Sequence, residues 1–163
     1  MTAPNAKRDK RGDMARSRAR LATVQALYQM DLAETDLLEV IEEFKQHRLS
    51  GSGDGNSMAD ADQEHFAQVL HGVVKRQREI DPLIDQQLAT GWRLARIDSI
   101  VRAILRAATF ELIELPDVPA RVIISEYIEV ARAFFEGDEP KLVNGVLDQL
   151  ARKLRPGTLP ERG

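Results

Sequence analysis

The sequence predicts an all-α fold of about seven helices. Apolar residues recur at helical spacing along most of the chain. No segment alternates apolar and polar residues between turn signals, and the β-branched residues fall inside the helical patterns. The 163 residues suit one domain, long enough to bury a core without a disulfide or metal staple.

Residues 1–12 are polar, contain Pro4 and Gly12, and lack apolar periodicity; they read as a disordered basic arm. A first helix follows over about 13–31, with Leu21, Val24 and Tyr28 at i, i+3 and i+7. A second runs from the N-cap Asp36 to His47 and buries Leu37, Leu38, Ile41 and Phe44. Residues 50–57 are Gly/Ser-rich and predict a long loop. The third helix starts near Asp62, with Phe66, Val69, Leu70, Val73 and Gln77 on its inner face. Lys75, Arg76 and Arg78 near its end complement the negative end of the helix dipole. Asp81-Pro82 opens a short fourth helix that Thr90-Gly91 closes, and Trp92 anchors the following turn in the core.

The fifth helix, about Asp98 to Leu115, carries Ile97, Val101, Ile104, Leu105, Ala108, Leu112 and Leu115 on one stripe. Arg102, Arg106 and Thr109 lie on its other side, and Pro116 stops it. The sixth spans Pro119 to Phe135, with Gly137 as its cap. The seventh opens at Pro140, buries Val143, Val146, Leu147, Leu150 and Leu154, and ends at Pro156-Gly157. Gly145 inside it predicts a close helix approach, and Asn144 a satisfied structural amide. The expected organisation is thus an arm over 1–12, one helical domain over 13–155 and a flexible tail over 156–163. Two subbundles of three to four helices would meet around 80–96.

Charge is unevenly distributed. The first 20 residues hold seven Lys/Arg and two acids, a net of +5, whereas the remainder holds 16 bases and 24 acids, a net of −8. A cationic arm on an anionic body suggests a polyanionic partner docking at the arm. With no cysteine, disulfides, thiolate metal ligands and thiol nucleophiles are excluded, which fits a reducing cytosol. No run approaches the ~18 apolar residues of a membrane span, and no apolar segment follows the basic start as in a secretory signal.

Catalytic elements are missing, so no enzyme, cofactor or metal is expected. His65 and His71 are six apart, about 240° around a helix, and share no face. The glycines of 51–55 have no strand before them and no lysine after them, so they do not form a phosphate-binding loop. Glu126 and Glu129 read as a solvated face.

Arg16, Arg18 and Arg20 carry the positive case. Arginine offers a rigid fork for phosphate and a plane that stacks on bases. Three cations near a helix start oppose the dipole, and an anionic ligand would compensate. Gln25 and Gln29 share the side of Arg18 (i, i+7, i+11) and suit hydrogen bonds at base edges. Tyr28 suits either core packing or base stacking. RNA is favoured over duplex DNA, because no basic recognition helix is evident. The competing reading is a helical protein-interaction scaffold that takes an acidic partner through its basic arm.

Five segments together resemble the bacterial NusB transcription antitermination family. They are Ala15-Arg-Ser-Arg-Ala-Arg20 with Val24-Gln-Ala-Leu-Tyr28; Ile104-Leu-Arg-Ala-Ala-Thr-Phe-Glu-Leu112; Asp117-Val-Pro119; Ile124-Ser-Glu-Tyr-Ile-Glu-Val-Ala131; and Lys141-Leu-Val-Asn-Gly-Val-Leu-Asp148. They occur in family order over roughly 13–155. The resemblance implies an all-helical, cytoplasmic, non-catalytic protein. It implies binding of the boxA element of nascent ribosomal RNA transcripts jointly with NusE, a small-subunit ribosomal protein. It also implies entry, with other Nus factors, into an RNA polymerase elongation complex that resists premature termination. A monomer or a homodimer is permitted.

The resemblance assigns RNA binding to Arg16, Arg18, Arg20 and Tyr28, and to Phe134, Asp138 and Lys141 near the last two helices. Arg102 and Arg106, together with Gln25 from the base-edge reading above, form a weaker RNA or partner surface. Ser17 interrupts the arginine run, Leu142 stands where the family commonly has Phe, and the 50–57 loop is long.

Overall fold

The computed structural model describes residues 3–33, 36–47, 61–89 and 93–160, with side chains from Gly12 onward. Among these residues are six α-helices and no strand. They are α1 (Ala3–Ala33), α2 (Leu37–His47), α3 (Gln63–Asp85), α4 (Ser99–Glu114), α5 (Ala120–Phe134) and α6 (Glu139–Leu154), with a 3₁₀ turn at Leu94–Arg96. The expected 50–57 loop, the Thr90-Gly91 stop and Trp92 lie outside the described residues. The chain divides into two compact units, Met1–His71 and Gly72–Gly163, so the division falls inside α3 and not at 80–96.

In the first unit, α1 begins at Ala3, where the sequence reading placed a disordered arm over 1–12. Ala, Lys and Arg are good helix formers, Pro4 sits in the first turn where its missing N–H is not needed, and interior Gly12 costs only about 1 kcal/mol. Ala19, Ala22, Thr23, Val24, Ala26 and Leu27 are buried, while Leu21 and Tyr28 are half-buried at the margin.

Helix α2 is capped as expected: the Leu38 N–H donates to Asp36 Oδ2 at 3.2 Å. Its inner stripe is rotated from the expected one. Val40, Ile41 and Phe44 are buried and Leu38 is 69% exposed, because i, i+3, i+4 and i+7 counted from Leu37 select 40, 41 and 44. The Phe44 and Phe66 rings stack at 5.4 Å and join α2 to α3.

The second unit holds the rest of α3 with α4, α5 and α6. The expected fourth helix starts earlier than Asp81-Pro82: α3 is two helical segments that meet at a kink at the non-helical Arg76 (φ −111°, ψ 16°), and Pro82 lies inside the second segment, which ends at Asp85. The break shifts the inner stripe, so Ile80 and Ile84 are buried and Gln77, expected inside, is exposed. Asp98 caps α4 by accepting the N–H groups of Ile100 (2.8 Å) and Val101 (3.3 Å).

Helix α4 is buried on more sides than its stripe predicted. Thr109, read as outward, is fully buried, and its hydroxyl donates to the Leu105 carbonyl at 2.6 Å. Gly137 is not the left-handed cap expected for α5. Among the described glycines only Gly157 has positive φ (83°), and α5 ends through Phe135 in extended conformation, its N–H donating to Ala131 at 2.9 Å. Gly145 and Asn144 are both exposed, and a Cβ on Gly145 would meet nothing within 4 Å. Gly145 thus does not serve the close helix approach the sequence suggested.

Candidate nucleic-acid interface

The basic segment of α1 lies several turns inside the helix. The dipole argument for an anionic ligand therefore falls away, since end effects fade within the first turn. Charge and exposure decide what the segment can do.

Arg16 is half exposed, and its Nε lies 3.8 Å from Asp62 Oδ2. Asp62 also caps α3, accepting the His65 N–H at 3.0 Å, and its own N–H donates to the Ala15 carbonyl at 2.9 Å. The start of α3 is thus fastened beside Arg16. The sequence placed the start of the helix near Asp62; its cap and its place beside Arg16 are seen only in the structure. A pair this open and this long is worth at most about 1 kcal/mol, so an incoming phosphate can take Asp62's place.

Arg18, Gln25 and Gln29 share one half-exposed side of α1, as the spacing predicted. Gln29 Nε2 donates to Glu43 Oε2 at 3.1 Å, which ties it to α2. Arg18 and Gln25 each take part in interactions within the chain. Tyr28 is half-buried between the two readings given for it. Ser17 bonds back to the Asp13 carbonyl at 2.9 Å, so the residue that interrupts the arginine run is spent locally.

Arg20 departs from the sequence expectation. It is only 2% exposed and engaged inside the fold. It follows Arg16 by one turn on a face that continues through buried Thr23 and Leu27, and that face turns inward. A side chain so covered presents no fork to a phosphate.

In the second unit, the α5–α6 corner gathers Phe134, Asp138 and Lys141. Phe134 ends α5 half-buried. Asp138 precedes α6, and its carbonyl accepts the N–H groups of Lys141 (3.0 Å) and Leu142 (3.2 Å). The Asp138 carboxylate makes no capping bond and is exposed, as is Lys141. Leu142 beside them is 41% exposed, an apolar surface where an aromatic ring would stack. The corner therefore offers an ammonium, a carboxylate and apolar surface within one helical turn.

Arg102 and Arg106, the weaker candidates, are committed to the fold. Arg102 Nη1 donates to the carbonyls of Ala95 (3.2 Å), Leu94 (3.4 Å) and Ile97 (3.4 Å), which closes the 3₁₀ turn. Arg106 grips Asp81 with two parallel bonds of 2.9 Å. Among the described residues no group of His, Asp and Glu could hold a metal, and no helix is long and apolar enough to cross a membrane.

Comparison with known proteins extends over nearly the whole chain. A model described as the NusB family matches residues 17–152. The transcription antitermination protein NusB of Allorhizobium ampelinum is 54% identical over 155 residues, covering 95% of this chain and 97% of the relative. A solved structure of T. maritima NusB superposes with a TM-score of 0.71 at 33% identity, covering 85% of this chain and 91% of that one. A NusB chain solved with NusE and double-stranded RNA shares the fold, with a TM-score of 0.69 at 23% identity and coverage of 85% and 97%. The six-helix order, the ordered motifs and these matches agree: the chain belongs to the NusB family.

Proposed function

We propose that this protein is a transcription antitermination factor that binds the boxA element of nascent ribosomal RNA together with NusE. The observation that carries this reading is near full-length identity of 54% to a NusB antitermination protein. The relative solved with NusE and RNA supports both partners. Arg16, Arg18 and Tyr28 on α1, and Phe134, Asp138 and Lys141 at the α5–α6 corner, are the RNA contacts. Gln25 lies on the same side of α1 as Arg18. Arg20 shapes α1 from beneath. Arg102 and Arg106 hold the fold and do not touch RNA.

The action is assembly in the cytoplasm, not a reaction. Phosphate contacts position the strand, while base edges and stacking select it. The RNA-bound heterodimer joins the RNA polymerase elongation complex, so nascent RNA is tethered to a moving enzyme and gains effective concentration. A homodimer that covered the arginine segment of α1 would compete with RNA.

The test is binding of a boxA oligonucleotide with and without NusE across a salt series. Affinity should rise with NusE and fall with salt, and Arg16→Ala with Arg18→Ala should flatten the salt slope by roughly 1.4, about 0.7 per lost phosphate contact on a single strand. Unchanged affinity in that variant would refute the α1 contacts. Capture of an acidic protein with no RNA binding would favour the scaffold reading.

A further inference from the structure

Four cations of the second unit stand outside the proposed site. Lys75 and Arg78 are exposed on α3, and Arg93 and Arg96 are exposed on either side of Leu94 in the 3₁₀ segment. The sequence reading credited Lys75 and Arg78 to the dipole at a helix end; Lys75 does stand at the end of the helical segment that stops at Arg76, whereas Arg78 lies in the first turn of the next segment, where a cation opposes the dipole.

Tertiary structure joins the two pairs. Asp85 Oδ1 accepts the Leu94 N–H at 2.7 Å. Arg78 and Asp85 are seven residues apart beyond the break at Arg76, hence on one side of α3 and about 10 Å apart along it. The segment bearing Arg93 and Arg96 is therefore fastened at the end of the line that carries Arg78.

The acids of this stretch are turned to other work. Glu79 pairs with Arg76, Asp81 with Arg106, Asp85 holds Leu94, and Asp98 caps α4. Arg76 is further held by Glu114. Lys75, Arg78, Arg93 and Arg96 pair with no described residue. Four cations without a partner among the described residues remain on a strip that has one large apolar residue exposed among those described, Val74 at 36%.

We propose that Lys75, Arg78, Arg93 and Arg96 form a second polyanion-binding strip that carries the sugar–phosphate backbone of RNA flanking the boxA element. This rests on the RNA-binding function proposed above. The chemistry favours RNA over an acidic protein. A protein interface needs an apolar centre, and this strip has almost none. Charge without apolar surface or base-edge donors suits backbone positioning that ignores sequence.

The experiment compares a boxA oligonucleotide with the same oligonucleotide carrying single-stranded flanks of arbitrary sequence. Full-length protein and two double variants, Lys75→Ala/Arg78→Ala and Arg93→Ala/Arg96→Ala, are titrated over a salt series. Thermal unfolding of each variant confirms the fold, and Gln replaces Ala wherever it falls.

For the wild type, flanks should add affinity and steepen the salt slope by roughly 2 to 3, at about 0.7 per phosphate on a single strand. Each double variant should lose about half of that increment and bind the bare oligonucleotide as before. Equal binding of flanked RNA by wild type and variants would overturn the strip and leave the boxA function standing. Failure of the wild type to bind either RNA would instead refute that function. Unchanged RNA binding with lost affinity for polyglutamate would assign the strip to an acidic protein and overturn the proposal.

Discussion

The ring of Phe110 on α4 lies against the backbone of Gly72 on α3, so close that a Cβ there would fall 2.1 Å from its Cε2. No other residue type fits at Gly72 without displacing a buried ring. Gly72→Ala should therefore destabilise the protein by about 1–3 kcal/mol, the usual cost of overpacking a core. Urea unfolding of the single variant measures it. Equal midpoints for variant and wild type would mean that Phe110 swings aside at no cost.

Gly145 should behave in the opposite way. It is exposed inside α6, has no positive φ, and a Cβ there meets open space. The fold gains nothing from its missing side chain, and Gly costs a helix interior about 1 kcal/mol relative to Ala. Gly145→Ala should raise the unfolding free energy by up to about that amount. A lower melting temperature would show that α6 uses this glycine in a way its surroundings do not reveal.

Arg106 and Asp81 link α4 to α3 through two 2.9 Å bonds, with Arg106 mostly buried and Asp81 about one quarter exposed. Arg106→Ala strands a partly covered carboxylate, while solvent at Asp81 softens the loss. A destabilisation of about 1–3 kcal/mol is expected, below the figure for fully buried pairs. Lysine cannot reproduce the fork and should recover only part. RNA affinity measured well below the melting temperature should stay unchanged in both variants, and a selective loss of affinity would return Arg106 to the RNA surface.

The sequence disclosed whatever depends on neighbours along one helix. The cap at Asp36, the helix starts near Asp62 and Asp98 and the stripe of α4 follow from side-chain chemistry within a turn or two. Features that depend on distant partners were hidden. Pro82 resembles a helix start, but α3 absorbs it because the backbone has already yielded at Arg76. Arg106 resembles a surface cation until Asp81, 25 residues away, arrives beside it. Arg16 and Arg20 look equivalent on a helical wheel, yet tertiary packing buries Arg20 and leaves Arg16 half open. Ordered motifs suggested which residues to propose as RNA contacts; which of those reach the surface was not legible.

Arg155, just past α6, gives the last prediction. Its guanidinium donates to four backbone carbonyls around the end of α4: Leu115 at 2.7 Å, Leu112 at 2.8 Å, Glu111 at 3.1 Å and Val118 at 2.5 Å. Helix ends leave carbonyls without partners, and here one side chain from another element serves several. Below it Glu111 is fully buried and accepts the Tyr127 hydroxyl. Burial lowers the Arg155 pKa below the ordinary arginine value, and the charge of Glu111 pushes it back up. The folded state therefore holds this proton less tightly than the unfolded chain. The resulting rise of stability with pH is confined to the alkaline region just below the ordinary arginine value. Near neutrality both states are protonated and Arg155 contributes no pH slope. Arg155→Ala should thus cost about 2–4 kcal/mol through the orphaned carbonyls. Arg155→Lys should recover only a fraction, since one ammonium cannot span four acceptors. Urea midpoints of the two variants and the wild type decide the matter: full rescue by lysine would reduce the clamp to a simple charge beside Glu111.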